Sequence, residues 1–249
     1  MIKHGLKLWS SNYNLFKSVK ESFDRGDFDF LELYTVPGTF SEKKFNELKN
    51  MPINIHAPHF LHNFNLMLER ERNLNTFEEV KKFANLFESD YIVVHPGVPG
   101  TEGNFDILKK NISIISDKRI IIENMPFKGL KNTTCFGNNI NQIKRMVDLT
   151  NGLCLDFGHA TKAALSNNLD YKEFTKELLK LNPYVFHISD GFIDSEIDEH
   201  LDLGSGDYDL TFMKQQILKN KNKMVVLETP KKDNNINNDL RNIEFFKNL

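Results

Sequence analysis

Apolar residues recur along the chain in short runs, and between most of these runs apolar positions fall at helical spacing. The runs are GLKLW at 5–9, DFLELY at 29–34, INIH at 53–56, YIVVH at 91–95, RIIIE at 119–123, GLCLD at 152–156, YVFH at 184–187 and MVVLE at 224–228. YIVVH is near-continuous rather than alternating, which is how a strand buried on both faces of a parallel sheet reads. Helices are expected at about 14–24, from Ser41 through Leu48, and up to about Phe87 behind a capping box of Thr76 and Glu79. Further ones are expected at about 105–115, 140–149, 170–181, 210–218 and 236–246. The connections include the glycine-rich loop PGVPGTEG, the polar loop NMPFKGLKNTTCFGNN and an Asn-rich surface loop at 234–238.

Eight apolar runs alternating with helices imply right-handed βα units, and eight close a barrel. The expected fold is α/β, a single (β/α)8 TIM barrel domain over residues 1–249. An open doubly wound sheet would carry a glycine fingerprint after its first strand, and GLKLWSSN has none.

Composition narrows the function. With 40% hydrophobic and 27% charged residues the chain has material for a sizeable core, and its formal charge of −2 supplies no general field for nucleic acid. Cys135 and Cys154 make neither a disulfide framework nor a cysteine zinc site, and Cys154 falls inside an apolar run as a core residue would. The start MIKHGLKLWSS lacks a signal-peptide pattern and no run is long enough to span a membrane, so a reducing, cytoplasmic setting without a membrane partner is expected.

The candidate chemistry lies at the ends of the runs. The third through eighth end in His56, His95, Glu123, Asp156, His187 and Glu228, and C-terminal strand ends of a barrel share the face on which active sites are built. A lone strand-end histidine is ordinarily a hydrogen-bonded rim residue, and a lone carboxylate a helix cap. Six at one mouth are different, because so many ionisable groups are costly to desolvate without compensating cations. Histidine and carboxylate ligands without cysteine suit zinc, manganese or a similar divalent ion. His159, three residues after Asp156, is a seventh group. The loop DSEIDEHLDLGSGD at 194–207 adds Asp198 and His200, followed by a Gly204-x-Gly206 turn whose N–H groups suit an anion. These nine groups exceed what one zinc takes and fit two or three ions bridged by carboxylates. His59 and His62, with Phe60 and Phe64, are candidates for a substrate wall; Lys128 and Lys131 could reach a phosphate; His4 reads as a surface residue.

The motifs HAPHFLHN, VVHPG, IIENMP, GLCLDFGHA, FHISD, DEHLDLGSGD and LETP, in order over 53–230, resemble the endonuclease IV and xylose-isomerase-like barrel superfamily. In the endonuclease IV branch the resemblance implies three zinc ions. His56, His95 and Glu123 would hold the first; Glu123 as a bridge, Asp156, His187 and Glu228 the second; His159, Asp198 and His200 the third. The implied chemistry is hydrolysis of a phosphodiester, in DNA with an abasic site or in a small phosphorylated substrate, with Glu228 orienting or deprotonating the attacking water. The first strand departs from the Gly-Ala-His start of those enzymes and the chain is shorter, so the resemblance carries the metals further than the DNA-contacting loops.

The same motifs also resemble sugar or sugar-phosphate isomerases and epimerases of the superfamily. These would use one divalent ion, Mn2+ or Mg2+, at Glu123, Asp156, His187 and Glu228, with Glu123 and Glu228 exchanging a proton beside a carbonyl. Asp198 two residues before His200, together with His56 and His95, favours the multinuclear hydrolase. A barrel that binds metal or sugar phosphate without turnover predicts a broken ligand set, and this set is intact. Oligomeric state is not legible in the sequence.

Overall fold

The computed structural model describes residues 1–69, 71–100, 104–231 and 234–249; Thr101, Glu102 and Gly103 of the PGVPGTEG loop lie outside the described residues. β1 (Lys3–Trp9) is followed by α1 (Phe16–Arg25), β2 (Phe30–Tyr34), β3 (Ile53–His56), α2 (Glu71–Leu86), β4 (Ile92–Val94), α3 (Phe105–Ile115) and β5 (Ile120–Glu123). A small antiparallel pair, β6 (Lys128–Gly129) and β7 (Thr133–Thr134), leads to α4 (Ile140–Val147) and β8 (Leu153–Asp156). Then come α5 (Phe157–Ser166), α6 (Tyr171–Leu179), β9 (Val185–Ile188), α7 (Leu210–Lys219), β10 (Met224–Leu227) and α8 (Asn237–Asn248). The strands other than β6 and β7 pair in parallel and close as β1-β2-β3-β4-β5-β8-β9-β10.

Side-chain alternation divides the barrel interior into two layers. Phe30, Tyr91, Val93, Ile121, Cys154, Val185 and Val226 form an apolar floor separate from the larger core between strands and helices. β1 contributes Gly5 to this floor, where a Cβ would lie 2.5 Å from the Phe30 ring. Because successive side chains alternate faces, the residue two positions further along each strand points into the same interior. Those residues are Lys7, Glu32, His56, His95, Glu123, Asp156, His187 and Glu228. An apolar floor thus carries a charged and histidine-rich layer at the C-terminal mouth.

Several local expectations fail for identifiable reasons. The helix expected from Ser41 is only a 3-10 turn, Lys44–Leu48, which still buries Phe45 and Leu48. Thr76 and Glu79 do not cap α2, which starts at Glu71; Thr76 is buried inside the helix. The Glu79 carboxylate instead accepts from the backbone N–H groups of Gly38, at 2.8 Å, and Phe40, at 3.0 Å, pinning the loop after β2. The Asn-rich stretch is not wholly a loop, since α8 begins at Asn237 and Asn238 is buried. His4 is buried, its ring edge-on to Phe246 with centroids 6.0 Å apart, because β1 is covered by α8 at that level.

Candidate metal centre at the barrel mouth

Glu123, fully buried at the end of β5, is the hub of the mouth. Its Oε2 lies 3.1 Å from His56 Nε2 and 2.7 Å from His95 Nε2, and its Oε1 lies 3.0 Å from His187 Nδ1. Glu228 reaches the same His187 Nδ1 at 3.0 Å. On the other side, Asp198 Oδ2 sits 3.2 Å from His159 Nε2 and 2.6 Å from His200 Nε2. The nine residues singled out in the sequence fall into three groups whose candidate ligand atoms lie within 4.8 Å of one another: His56–His95–Glu123, Glu123–Asp156–His187–Glu228 and His159–Asp198–His200. Glu123 belongs to two of them.

Four histidines are tied back by one ring nitrogen, leaving the other turned to the cluster. Nδ1–H of His56 donates to the Ala57 carbonyl at 2.7 Å, that of His159 to the Asn124 carbonyl at 2.9 Å and that of His200 to the Glu228 carbonyl at 3.1 Å. His187 is reversed: its Nε2 faces Glu32 at 3.0 Å and its Nδ1 faces the cluster. Such outer hydrogen bonds orient metal-ligating imidazoles and select their tautomer. Asp156 caps α5, its Oδ1 accepting from the His159 N–H at 2.6 Å. Its Oδ2, like Oδ1 of Asp198, is buried without a hydrogen-bond partner. Two orphaned carboxylate oxygens within a histidine and carboxylate donor set are what divalent ions would satisfy, so the residues fit the metals that the sequence implies.

The ionisation of the cluster follows its crowding. Burial, reinforced by the charges of Glu123, Asp198 and Glu228 and opposed by His159, pushes Asp156 up to about 6. Burial works against ionised Glu123 too, but His187 and His95 outweigh it and hold the carboxyl well below its usual range. Burial lowers His59 to about 3, helped by the neighbouring His95 and His62.

Sequence reasoning missed the two members of the layer that come from β1 and β2. Lys7 Nζ lies 2.6 Å from Glu32 Oε1 and 2.5 Å from Glu228 Oε1. A charged residue in the middle of each of two apolar runs, GLKLW and FLELY, was the available signal, and the register pairs Lys7 with Glu32.

The loop from β9 to α7 carries Asp198 and His200, and its glycines have an internal partner. The N–H groups of Gly204 and Gly206 each donate to Asp190 Oδ2 at 2.9 Å, while those of Gly191 and Tyr208 reach Oδ1. The anion suited by the Gly-x-Gly turn is thus a side chain of the protein. Lys162 anchors the same loop, donating to the carbonyls of Phe192 at 2.6 Å and Ser195 at 2.7 Å and pairing with Glu199 at 3.0 Å.

Two cavities flank the cluster and both touch His59 and His95. One, of about 510 Å³, is lined by Lys7, Trp9, Tyr34, His200 and Glu228. The other, of about 480 Å³, is lined by Phe60, Lys128, Lys131, His159 and Asp198. His62 packs behind the first, its Nδ1 2.6 Å from the Tyr34 hydroxyl. Phe64 does not join this wall, being 1% exposed in the core, and Lys128 is engaged by Glu196.

A closed parallel barrel with a histidine and carboxylate cluster at the C-terminal mouth defines the class: a (β/α)8 barrel with a polar, enzyme-like site. The chain belongs to the family of xylose isomerase-like TIM barrels, whose model matches residues 28–249. A relative from Halothermothrix orenii named probable endonuclease 4 is 27% identical over 186 residues, and the match spans 65% of this chain and 65% of that relative's length. The structure of endonuclease IV from Thermus thermophilus is 20% identical, with a TM-score of 0.74 over 99% of this chain and 98% of that one. A D-tagatose 3-epimerase-like protein is 22% identical, with the same TM-score of 0.74 over 99% of this chain and 96% of its own. At these identities the structural likenesses speak for the fold. No helix among the described residues is long and apolar enough to cross a membrane.

Proposed function

We propose that the chain is a metal-dependent phosphoesterase of the endonuclease IV type, a cytoplasmic single-domain enzyme that holds three divalent ions, zinc in the first instance. His56, His95 and Glu123 would hold the first, Glu123, Asp156, His187 and Glu228 the second, and His159, Asp198 and His200 the third. The observation that carries this reading is the third group, in which an Asp198 with an orphaned oxygen stands between two histidines whose other ring nitrogens are tied to backbone carbonyls. When bound, the ions supply Lewis acidity toward a phosphoryl group and lower the pKa of an attacking water. In this reading Glu228 would orient a water or take its proton, and Glu123 would be shared between the first two groups. The cavities on either side of the cluster suit a substrate with groups on both sides of a phosphate, either DNA at an abasic site or a smaller phosphorylated sugar.

A second reading is a sugar or sugar-phosphate isomerase or epimerase using one ion, with Mn2+ or Mg2+ in place of zinc. It is favoured by the placement of Glu123 and Glu228 at 3.0 Å from the same nitrogen of His187, two carboxylates on one small volume. Metal analysis of protein purified without added metal or chelator separates the readings: close to three zinc per chain is expected. The metal-replete protein is expected to nick a duplex carrying an abasic site or to hydrolyse a sugar phosphodiester. A single manganese or magnesium, with epimerisation of ketoses and no hydrolysis, would overturn the phosphoesterase.

A further inference from the structure

Beneath the proposed ion positions lies a second, wholly internal network that the mouth residues do not account for. Glu32 is fully buried and every hydrogen bond it makes is one it accepts. Lys7 Nζ approaches its Oε1 at 2.6 Å, the Tyr91 hydroxyl donates to its Oε2 at 2.8 Å, and His187 Nε2 stands 3.0 Å from Oε1 and 3.2 Å from Oε2. Lys7 in turn holds Glu228 at 2.5 Å, so one ammonium ties a carboxylate of this network to a carboxylate of the mouth. Glu32, His56, His187 and Glu228 also lie close enough to one another to resemble a fourth ion position. The ammonium of Lys7 already stands between its two carboxylates, which makes that space the seat of a tethered cation.

We propose that Glu32 and Lys7 are positioning residues, which fix His187 and Glu228 and thereby make the Glu123–Asp156–His187–Glu228 position the tightest of the three. This inference rests on the metal reading above. Of the four histidines tied back at the mouth, three donate through the tied nitrogen to neutral carbonyls, with carboxylate oxygens no nearer that nitrogen than 3.5 Å for His159 and 3.6 Å for His200, whereas His187 has the Glu32 carboxylate at 3.0 Å. A carboxylate behind an imidazole fixes its tautomer and raises its basicity as a ligand, which a carbonyl does more weakly. Glu32 can play this part inside the barrel because Lys7 balances its charge; a buried carboxylate without that partner would be costly. Lys7 also occupies Oε1 of Glu228, restricting how that carboxylate can turn toward the mouth.

The test is a competition titration of zinc against a chromogenic chelator, with wild type and Glu32→Gln side by side. The amide is nearly isosteric but neutral: its oxygen can still accept from Lys7 and His187 and its NH2 can donate to the Tyr91 hydroxyl, so what the change removes is the negative charge behind His187. One equivalent of zinc is expected to weaken by about 10–100-fold, the range for lost outer partners of metal-ligating histidines, while the other two stay within about threefold. Equal weakening of all three, or of none, overturns the proposal. Should Glu32→Gln not fold, the wild type carries the test through nitrogen-15 NMR of the ion-loaded protein. His187 is expected to bind through Nδ1 with a downfield, slowly exchanging Nε2 proton, and an Nε2 proton in free exchange with water overturns the assignment. Wild-type protein that holds no divalent ion sinks the metal reading and this inference together, whereas ion uptake with unaltered affinities in Glu32→Gln sinks this inference alone.

Discussion

At the scale of single residues, the same side-chain type takes opposite roles at opposite ends of the barrel. His187 and Glu32 support each other because each finds opposite charge nearby. His4, at the other end of β1, is buried against Phe246 with only a partial counterweight. Burial, with the charge of Lys247, lowers its pKa below 6.5 despite Asp29 nearby. In the unfolded chain His4 therefore binds a proton more readily than in the folded one, so its share of the stability is intact above pH 6.5 and is lost as the pH falls below it. Urea midpoints measured from pH 7.5 down to 5 are expected to fall less steeply for His4→Gln than for the wild type. Parallel curves would show that His4 is not the group responsible. The reading of His4 as a surface residue went wrong because a polar position near the start of a strand does not reveal the helix that covers it.

At the scale of elements, the loop between β9 and α7 is held from within. Asp190 collects four backbone N–H groups, Lys162 two carbonyls, and the loop returns to pair Leu201 with Asp190. Gly206 allows this closure: a Cβ there would lie 2.3 Å from the Gly191 carbonyl oxygen and 2.6 Å from Asp190 Oδ1. Gly206→Ala should therefore push the loop off Asp190, at a cost of about 1–3 kcal/mol typical of overpacking, and displace Asp198 and His200 with it. Zinc titration and denaturant melts would report this as loss of one ion equivalent with a lowered midpoint; retention of all the ions would mean that the loop does not depend on this packing. The sequence marked the loop as chemically interesting through its Asp-x-His pair and its glycines. It could not reveal that the glycine N–H groups face Asp190, because that depends on where the chain folds back.

At the scale of the whole molecule, the two-layer interior couples stability to the site. The floor of Phe30, Tyr91, Val93, Ile121, Cys154, Val185 and Val226 stabilises the barrel, while the layer above crowds like charges that ions would relieve. Metal binding should consequently stabilise the fold. For one site, free zinc at 100 times its dissociation constant adds about 2.7 kcal/mol. That corresponds to a rise of roughly 5–10 °C in Tm for a chain of this size, and chelator should reverse it. A Tm indifferent to both zinc and chelator would count against an ion cluster in the folded protein.

The linear pattern of apolar runs determined the barrel, because eight runs separated by helical segments leave few ways to bury every strand on both faces. It also exposed six mouth residues, since a polar residue closing an apolar strand stands out without any knowledge of neighbours. Only the tertiary structure decided the rest. It placed Lys7 and Glu32 in the same layer as those six, where strand register joins β1 to β2. It turned Glu79 from a helix cap into the anchor of a distant loop, and gave the Gly-x-Gly turn its anion in Asp190. The Lys7–Glu32 and Glu79–Gly38 contacts join segments well separated in the chain, and the Asp190 contacts depend on how one loop folds back on itself; neither is visible in a local pattern of residues.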